Sequence, residues 1–160
     1  MSYFLETREP GYFSKFKGVK LDNTTLVQGI SSTYFFCSGS EISYTPDENA
    51  DYVVYEYCFF ADSYNRIDTR LVYSDDGGET FSELTGNRSS FNSGETNLQF
   101  ETSCNIRLLI DSWGSTERIF RIEGIGNGGT LHRALNFYRS TSAETKYFIP
   151  TVACYSITES

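Results

Sequence analysis

The chain has 160 residues, of which 39% are apolar and 16% aromatic, and its formal net charge is −8. That length suits one domain with a substantial core, and the excess of Tyr, Phe and β-branched residues over Met, Trp and Lys favours strands over helices. An acidic body is repelled by phosphate backbones, and no apolar run approaches the ~20 residues that span a bilayer, so neither nucleic acid nor membrane insertion is expected.

Residues 1–29 stand apart. They carry Arg8, Lys15, Lys17 and Lys20 against Glu6, Glu9 and Asp22, which leaves nine basic and eighteen acidic residues for the remainder. Their aromatic residues Tyr3, Phe4, Tyr12, Phe13 and Phe16 follow no strand period, so this segment is expected to be an extended N-terminal arm that docks on a larger assembly. A first edge strand with a ragged terminus is the competing reading. The opening MSYFLETREP lacks the basic and apolar regions of a secretory leader, so synthesis in the cytoplasm is expected.

Residues 30–160 read as one β-sandwich domain. Strand-like runs follow at Ile30 to Cys37, at Glu41 to Thr45 before Pro46, and at Tyr52 to Phe60. In the last of these, Val53, Tyr55, Tyr57 and Phe59 form one apolar face, while Tyr52, Val54, Cys58 and Phe60 form another that carries only Glu56. Two apolar faces imply a sandwich core on one side and a second burial partner, such as another subunit, on the other. ADSYNRID is a polar turn, Thr69 to Ser74 a strand, and DDGG the turn of a hairpin into Thr80 to Leu84. Residues 85–103 read as a long polar connection with one short strand at 98–101. Asn105 to Asp111 alternates with Ile106, Leu108 and Ile110 inward; Ser112 to Thr116 is a turn; Ile119 to Ile125 places Phe120 and Ile122 inward. Gly126 to Gly129 is expected to be a second hairpin turn, and Leu131 to Arg139 and Tyr147 to Thr158 complete the set. The sum is an all-β, antiparallel sandwich or jelly roll of about eight to ten strands.

The sharpest motif is Ser74-Asp75-Asp76-Gly77-Gly78-Glu79-Thr80-Phe81, which matches the pattern Ser-x-Asp-x-Gly-x-Thr-aromatic and resembles the Asp-box turns of sialidase-type β-propellers. It occurs once, whereas a propeller repeats it, so Asp76, Gly78 and Thr80 are read as turn-forming residues. The carboxylates around residues 47–51 and 75–79 lack the alternating spacing of a calcium loop. His132 is the only histidine, and no Ser lies in a nucleophile elbow. No catalytic, metal-ligating or cofactor-binding residue is therefore assigned, no cofactor is expected, and the protein is read as non-enzymatic. Cys37, Cys58, Cys104 and Cys154 lie singly in strand-like runs and read as free, largely buried thiols. Trp113, with Tyr34, Tyr55, Tyr64 and Tyr138, can be read as a sugar-stacking platform, as interface anchors or as sandwich filling.

The blocks SGSEISYTPDENADYVVYEYCF, RLVYSDDG, ERIFRIEG and TLHRALNFY, with Trp113 between the second and third, resemble small β-sandwich virion proteins of tailed bacteriophages, such as head decoration proteins and fibre knobs. The resemblance spans about residues 30–158. It implies a jelly-roll-like, non-enzymatic protein of the virion, self-associating as a homotrimer and docking on viral capsid or tail proteins through its N-terminal segment. On this reading Tyr3, Phe4, Tyr12, Phe13, Phe16, Tyr52, Val54 and Phe60 form the assembly interface. The alternative is a receptor-binding tail fibre tip, in which Trp113, Tyr64 and Tyr138 contact a host surface glycan.

Overall fold

The computed structural model describes residues 12–20, 27–64, 66–92, 99–126, 129–132 and 151–159. All regular structure in them is β, in two antiparallel sheets packed as a sandwich. The six-stranded sheet holds β1 (Tyr12–Lys20), β2 (Val27–Gly29), β5 (Tyr52–Tyr64), β8 (Gln99–Asp111), β10 (Gly129–His132) and β11 (Thr151–Thr158). The five-stranded sheet holds β3 (Phe35–Phe36), β4 (Ile42–Tyr44), β6 (Arg66–Ser74), β7 (Ser82–Asn92) and β9 (Arg118–Gly126). The eleven strands among the described residues exceed the expected eight to ten because β1 and β2 fall within residues 1–29, which were expected to be an arm.

Strand β5 organises the molecule. It pairs along its whole length with β8, from Tyr52 opposite Asp111 to Tyr64 opposite Gln99, and on its other edge first with β11 and then with β10. Val53, Tyr55, Tyr57, Phe59 and Ala61 point between the sheets and are buried. They meet Ile106 and Ile110 of β8, Val152 and Cys154 of β11, Ile67 and Leu71 of β6, and Phe120 and Ile122 of β9. The inward residues read from alternation in β5, β8 and β9 are thus the ones that fill the core, Leu108 being half-buried against it.

Three expectations are corrected. ADSYNRID is not a polar turn, because β5 continues to Tyr64 and β6 begins at Arg66. Residues 85–103 are mostly strand: β7 runs to Asn92 and β8 starts at Gln99. The polar content misled because β7 is an edge strand among the described residues, paired there only with β6 on the path β3-β9-β6-β7, and an edge tolerates solvated side chains. Gly126 to Gly129 does not close a hairpin, since β9 belongs to the five-stranded sheet and β10 to the other. At Gly126 a Cβ would stand 2.8 Å from both the Arg66 carbonyl and Ile30, so glycine lets the backbone leave one sheet through a crowded corner.

Residues 12–20 form a strand of this chain's own sheet, paired among the described strands with β11 alone. Residues 1–11 and the remainder of the expected arm, 21–26, lie outside the described residues, as do residues 133–150 with most of the Leu131 to Arg139 run.

Candidate functional site

The site begins with an irregularity in β1. Ser14 lies opposite Ser156 and Lys17 opposite Cys154, so Lys15 and Phe16 together face the single residue Tyr155. This is a β-bulge, and Lys15 takes φ 48°, a left-handed value that costs a non-glycine residue about 1 kcal/mol. Its effect is directional. In an unbroken strand residues three apart point to opposite faces, but the extra residue turns both Phe13 and Phe16 to the outside of the six-stranded sheet. There Phe13 meets the Tyr155 ring edge-on at 5.3 Å and Phe16 stacks on it at 6.5 Å. The two rings remain 68% and 72% exposed.

A buried relay holds the bulge in place. The Asp47 amide donates to Ser156 Oγ, Ser156 and Tyr44 share a hydrogen bond of 2.8 Å, and the Tyr44 hydroxyl donates to the Lys15 carbonyl. The direction is consistent throughout if Ser156 donates to Tyr44. Lys15 Nζ donates to the Pro46 carbonyl and Lys17 Nζ to Ser43 Oγ, so β1 is fastened to the β4 segment of the opposite sheet. Burial, opposed in part by the Ser156 hydrogen bond, raises the Tyr44 pKa and keeps its proton on the donor at neutral pH.

Register then extends the aromatic cluster into a stripe. Tyr155 lies opposite Val54, and Val54 opposite Leu109. One row across four strands therefore reads Phe16, Tyr155, Val54, Leu109; the next reads Phe13, Ile157, Tyr52, Asp111. Val54 is only 2% exposed in the single chain and Tyr52 is half-buried, whereas Leu109 is 58% exposed. The apolar area offered to solvent thus lies on the flanking strands β1 and β8, not on β5 itself. Below the stripe the Tyr155 hydroxyl donates to Glu56 at 3.0 Å and accepts from Arg107 at 2.9 Å, while Arg107 and Glu56 pair at 3.0 Å. Burial and the Glu56 carboxylate push the Tyr155 pKa up, so the phenol stays protonated. Between β1 and Tyr155 opens a groove of about 370 Å³ lined by Phe13, Ser14, Lys15, Phe16 and Tyr155.

The outer face of the five-stranded sheet is built from charge. Arg70 bridges Glu83 at 3.1 Å and Glu123 at 2.7 Å, Arg88 joins Glu83 at 2.7 Å, and Arg121 joins Glu123 at 3.0 Å. The Arg70 guanidinium also lies 3.8 Å over the Tyr34 ring, and that of Arg121 3.5 Å over Phe81.

Of the residues singled out in the sequence, the structure brings Phe13, Phe16, Tyr52 and Val54 onto one sheet face. Tyr12 and Phe60 belong to β1 and β5 of the same sheet, but their side chains, like that of Tyr64, fall outside the described part; Tyr3, Phe4 and Tyr138 lie outside it altogether. Trp113 closes one end of the sandwich: its ring lies 5.0 Å from Phe120, Arg118 sits over it at 5.1 Å, and its Nε1 donates to the Thr116 carbonyl. Tyr55 is fully buried and donates to the Ser40 carbonyl, and Tyr34 lies under Arg70. The sequence reading missed Tyr155, Ile157 and Leu109, whose alternation in β11 and β8 was the available signal.

Asp76 shapes the β6–β7 turn. Its carboxylate accepts from Ser74 Oγ and from both the amide and the hydroxyl of Thr80, and Gly77 and Gly78 take φ 76° and 96°. Hydrogen bonds from Ser74 and then Thr80 hold its pKa well below the usual carboxylate range. Cys37, Cys104 and Cys154 are buried cysteines and Cys58 a half-buried one; burial pushes Cys104 up to about 12. Among the described residues no three His, Cys, Asp or Glu side chains gather to hold a metal, and no helix is long and apolar enough to cross a membrane.

No protein-family model matches the chain, and no curated protein does. Among solved structures, that of Eiger TNF from S. frugiperda aligns over 84% of this chain and 94% of that chain, at 9% identity and a TM-score of 0.37. At this level the alignment speaks for neither partner nor activity.

Proposed function

We propose that the chain is a non-enzymatic structural protein that self-associates through the outer face of its six-stranded sheet. The observation that carries this reading is the stripe of Phe16, Tyr155, Val54 and Leu109, whose two ends are more than half exposed. Large apolar side chains exposed at both ends of one sheet face, those of β1 presented at the cost of a strained Lys15, support an interaction surface there. The sequence resemblance to phage virion proteins adds the setting: a capsid decoration or attachment protein, a homotrimer in the virion, docking on the particle through its N-terminal segment. A glycan-binding tip built on Trp113 lacks comparable support, because the Trp113 ring is engaged by Phe120 and Arg118 and its N–H by Thr116.

Sedimentation velocity with light scattering tests self-association. A discrete oligomer is expected at concentrations on the order of 10 μM, and a monomer there removes the proposal. Docking on a particle is tested by truncation. The cut belongs before Tyr12, because removing residues 1–29 would also strip β1 from the sheet. Loss of particle binding with the oligomer intact is the expected result; unchanged binding sinks the docking role.

A further inference from the structure

Strand β1 is built unlike β11, its partner. The residues it sets opposite the inward-facing Val152, Cys154 and Ser156 are Val19, Lys17 and Ser14. Those β11 side chains are at most 1% exposed, whereas every described side chain of β1 except Ser14 is exposed, and none of them joins the core. Ser14 is half-buried, and its Oγ is sealed from solvent without a hydrogen-bond partner among the described residues. On the outer side Phe16 lies along its own strand, over Gly18, where a Cβ would stand 2.6 Å from the ring. Lys15 adds its left-handed φ of 48°.

What holds β1 is its backbone ladder with β11 and a set of side-chain ties to the opposite sheet: Tyr44 to the Lys15 carbonyl, Lys15 to the Pro46 carbonyl and Lys17 to Ser43. An element with few buried apolar contacts, a strained residue and an orphaned hydroxyl opens at a lower free energy than the sandwich it covers. We infer that β1 is a releasable strap, which opens as a unit while β11, β5 and the five-stranded sheet stay folded. Release bares the edge of β11, whose backbone N–H and C=O groups are then free to pair with another extended segment. It also uncovers Cys154 from the side, because Lys17 stands opposite that thiol and reaches past it to Ser43. Phe13 and Phe16 leave Tyr155 in the same step, so only the closed strap presents the full stripe. Opening needs no second copy, and a monomer serves as well as an oligomer to detect it.

The test alkylates the folded full chain with N-ethylmaleimide and follows each cysteine by peptide mass spectrometry. Half-buried Cys58 is the accessible reference, and Cys37 and Cys104, at 1% exposure, report opening of the sandwich itself. Cys154 is expected to react at least about tenfold faster than Cys37 and Cys104, with little dependence on urea below the unfolding transition, because freeing one strand exposes little surface. Tyr44→Phe cuts a tie and is expected to speed Cys154 about tenfold. Ser14→Ala removes the orphaned hydroxyl and is expected to slow it several-fold, and this variant serves should Tyr44→Phe fail to fold. Hydrogen exchange in β1 and β11 reads the same opening without a thiol: the β1 amides should exchange well ahead of those that pair β5 with β8. Cys154 that reacts only together with Cys37 and Cys104, on the urea dependence of global unfolding, overturns the inference, as does a Cys154 rate that ignores both variants.

Discussion

On the five-stranded sheet the guanidinium groups of Arg70, Arg88 and Arg121 end on carboxylates of the same chain, and two of them also cover aromatic rings. On the six-stranded sheet Arg107 pairs with Glu56 below a stripe whose ends, Phe16 and Leu109, have no cover among the described residues. Both faces display aromatic side chains. On one, a cation lies over each ring and the surface is complete within the monomer. On the other, strain at Lys15 is spent to expose rings that no described residue buries. Composition alone does not separate the two faces; what separates them is whether the chain supplies its own partner for each ring.

If the contrast holds, stability and association respond to different substitutions. The largest effect on stability is expected for Glu123→Ala, which leaves Arg70 and Arg121 partly buried without their shared carboxylate. It should cost about 2–3 kcal/mol by chemical denaturation while sedimentation stays unchanged. Tyr44→Phe comes next, and it joins the two readouts. Removing the hydroxyl leaves the Lys15 carbonyl and Ser156 without their link, which should cost about 1–2 kcal/mol and also loosen the bulge that aims Phe16. Gly18→Ala should reverse the pattern of Glu123→Ala: stability within about 0.5 kcal/mol of wild type, association weakened, because the displaced atom is the end of an exposed ring. The smallest effect belongs to Asp76, outside both faces. Its pKa is lower folded than unfolded, so its contribution is fully present above the unfolded value of about 4 and is lost as pH falls toward the folded one. Asp76→Asn should flatten that part of the acid limb in melts followed from pH 7 to pH 2.

Alternation carried the reading of the core. Val53 to Phe59 in β5, Ile106 and Ile110 in β8, and Phe120 and Ile122 in β9 all lie between the sheets because a half-buried strand must place every second side chain inward. The reading failed where alternation carries no information. Strand β7 is polar because it is an edge, and the glycines after β9 resemble a hairpin turn in composition although they carry the chain to the other sheet. The site was half legible. Phe13 and Phe16 drew attention by their spacing, but a spacing of three contradicts a strand unless a bulge intervenes, and nothing in SKFK announces one. Tyr155 and Leu109 acquire their meaning only through pairing with Val54, a contact between segments about a hundred and about fifty residues from it in the chain.

That pairing also governs how the molecule can form. Strand β11 sits between β1 and β5, yet it follows every other described strand in the chain. Until it arrives, β1 has no partner and half of one edge of β5 stays open, so loops of great length must close before the six-stranded sheet exists. Folding dominated by such distant contacts is slow, on the order of milliseconds to seconds. During that interval the open edge of β5, with Val54 and Cys58 beside it, is the part of the chain most in need of protection from wrong partners.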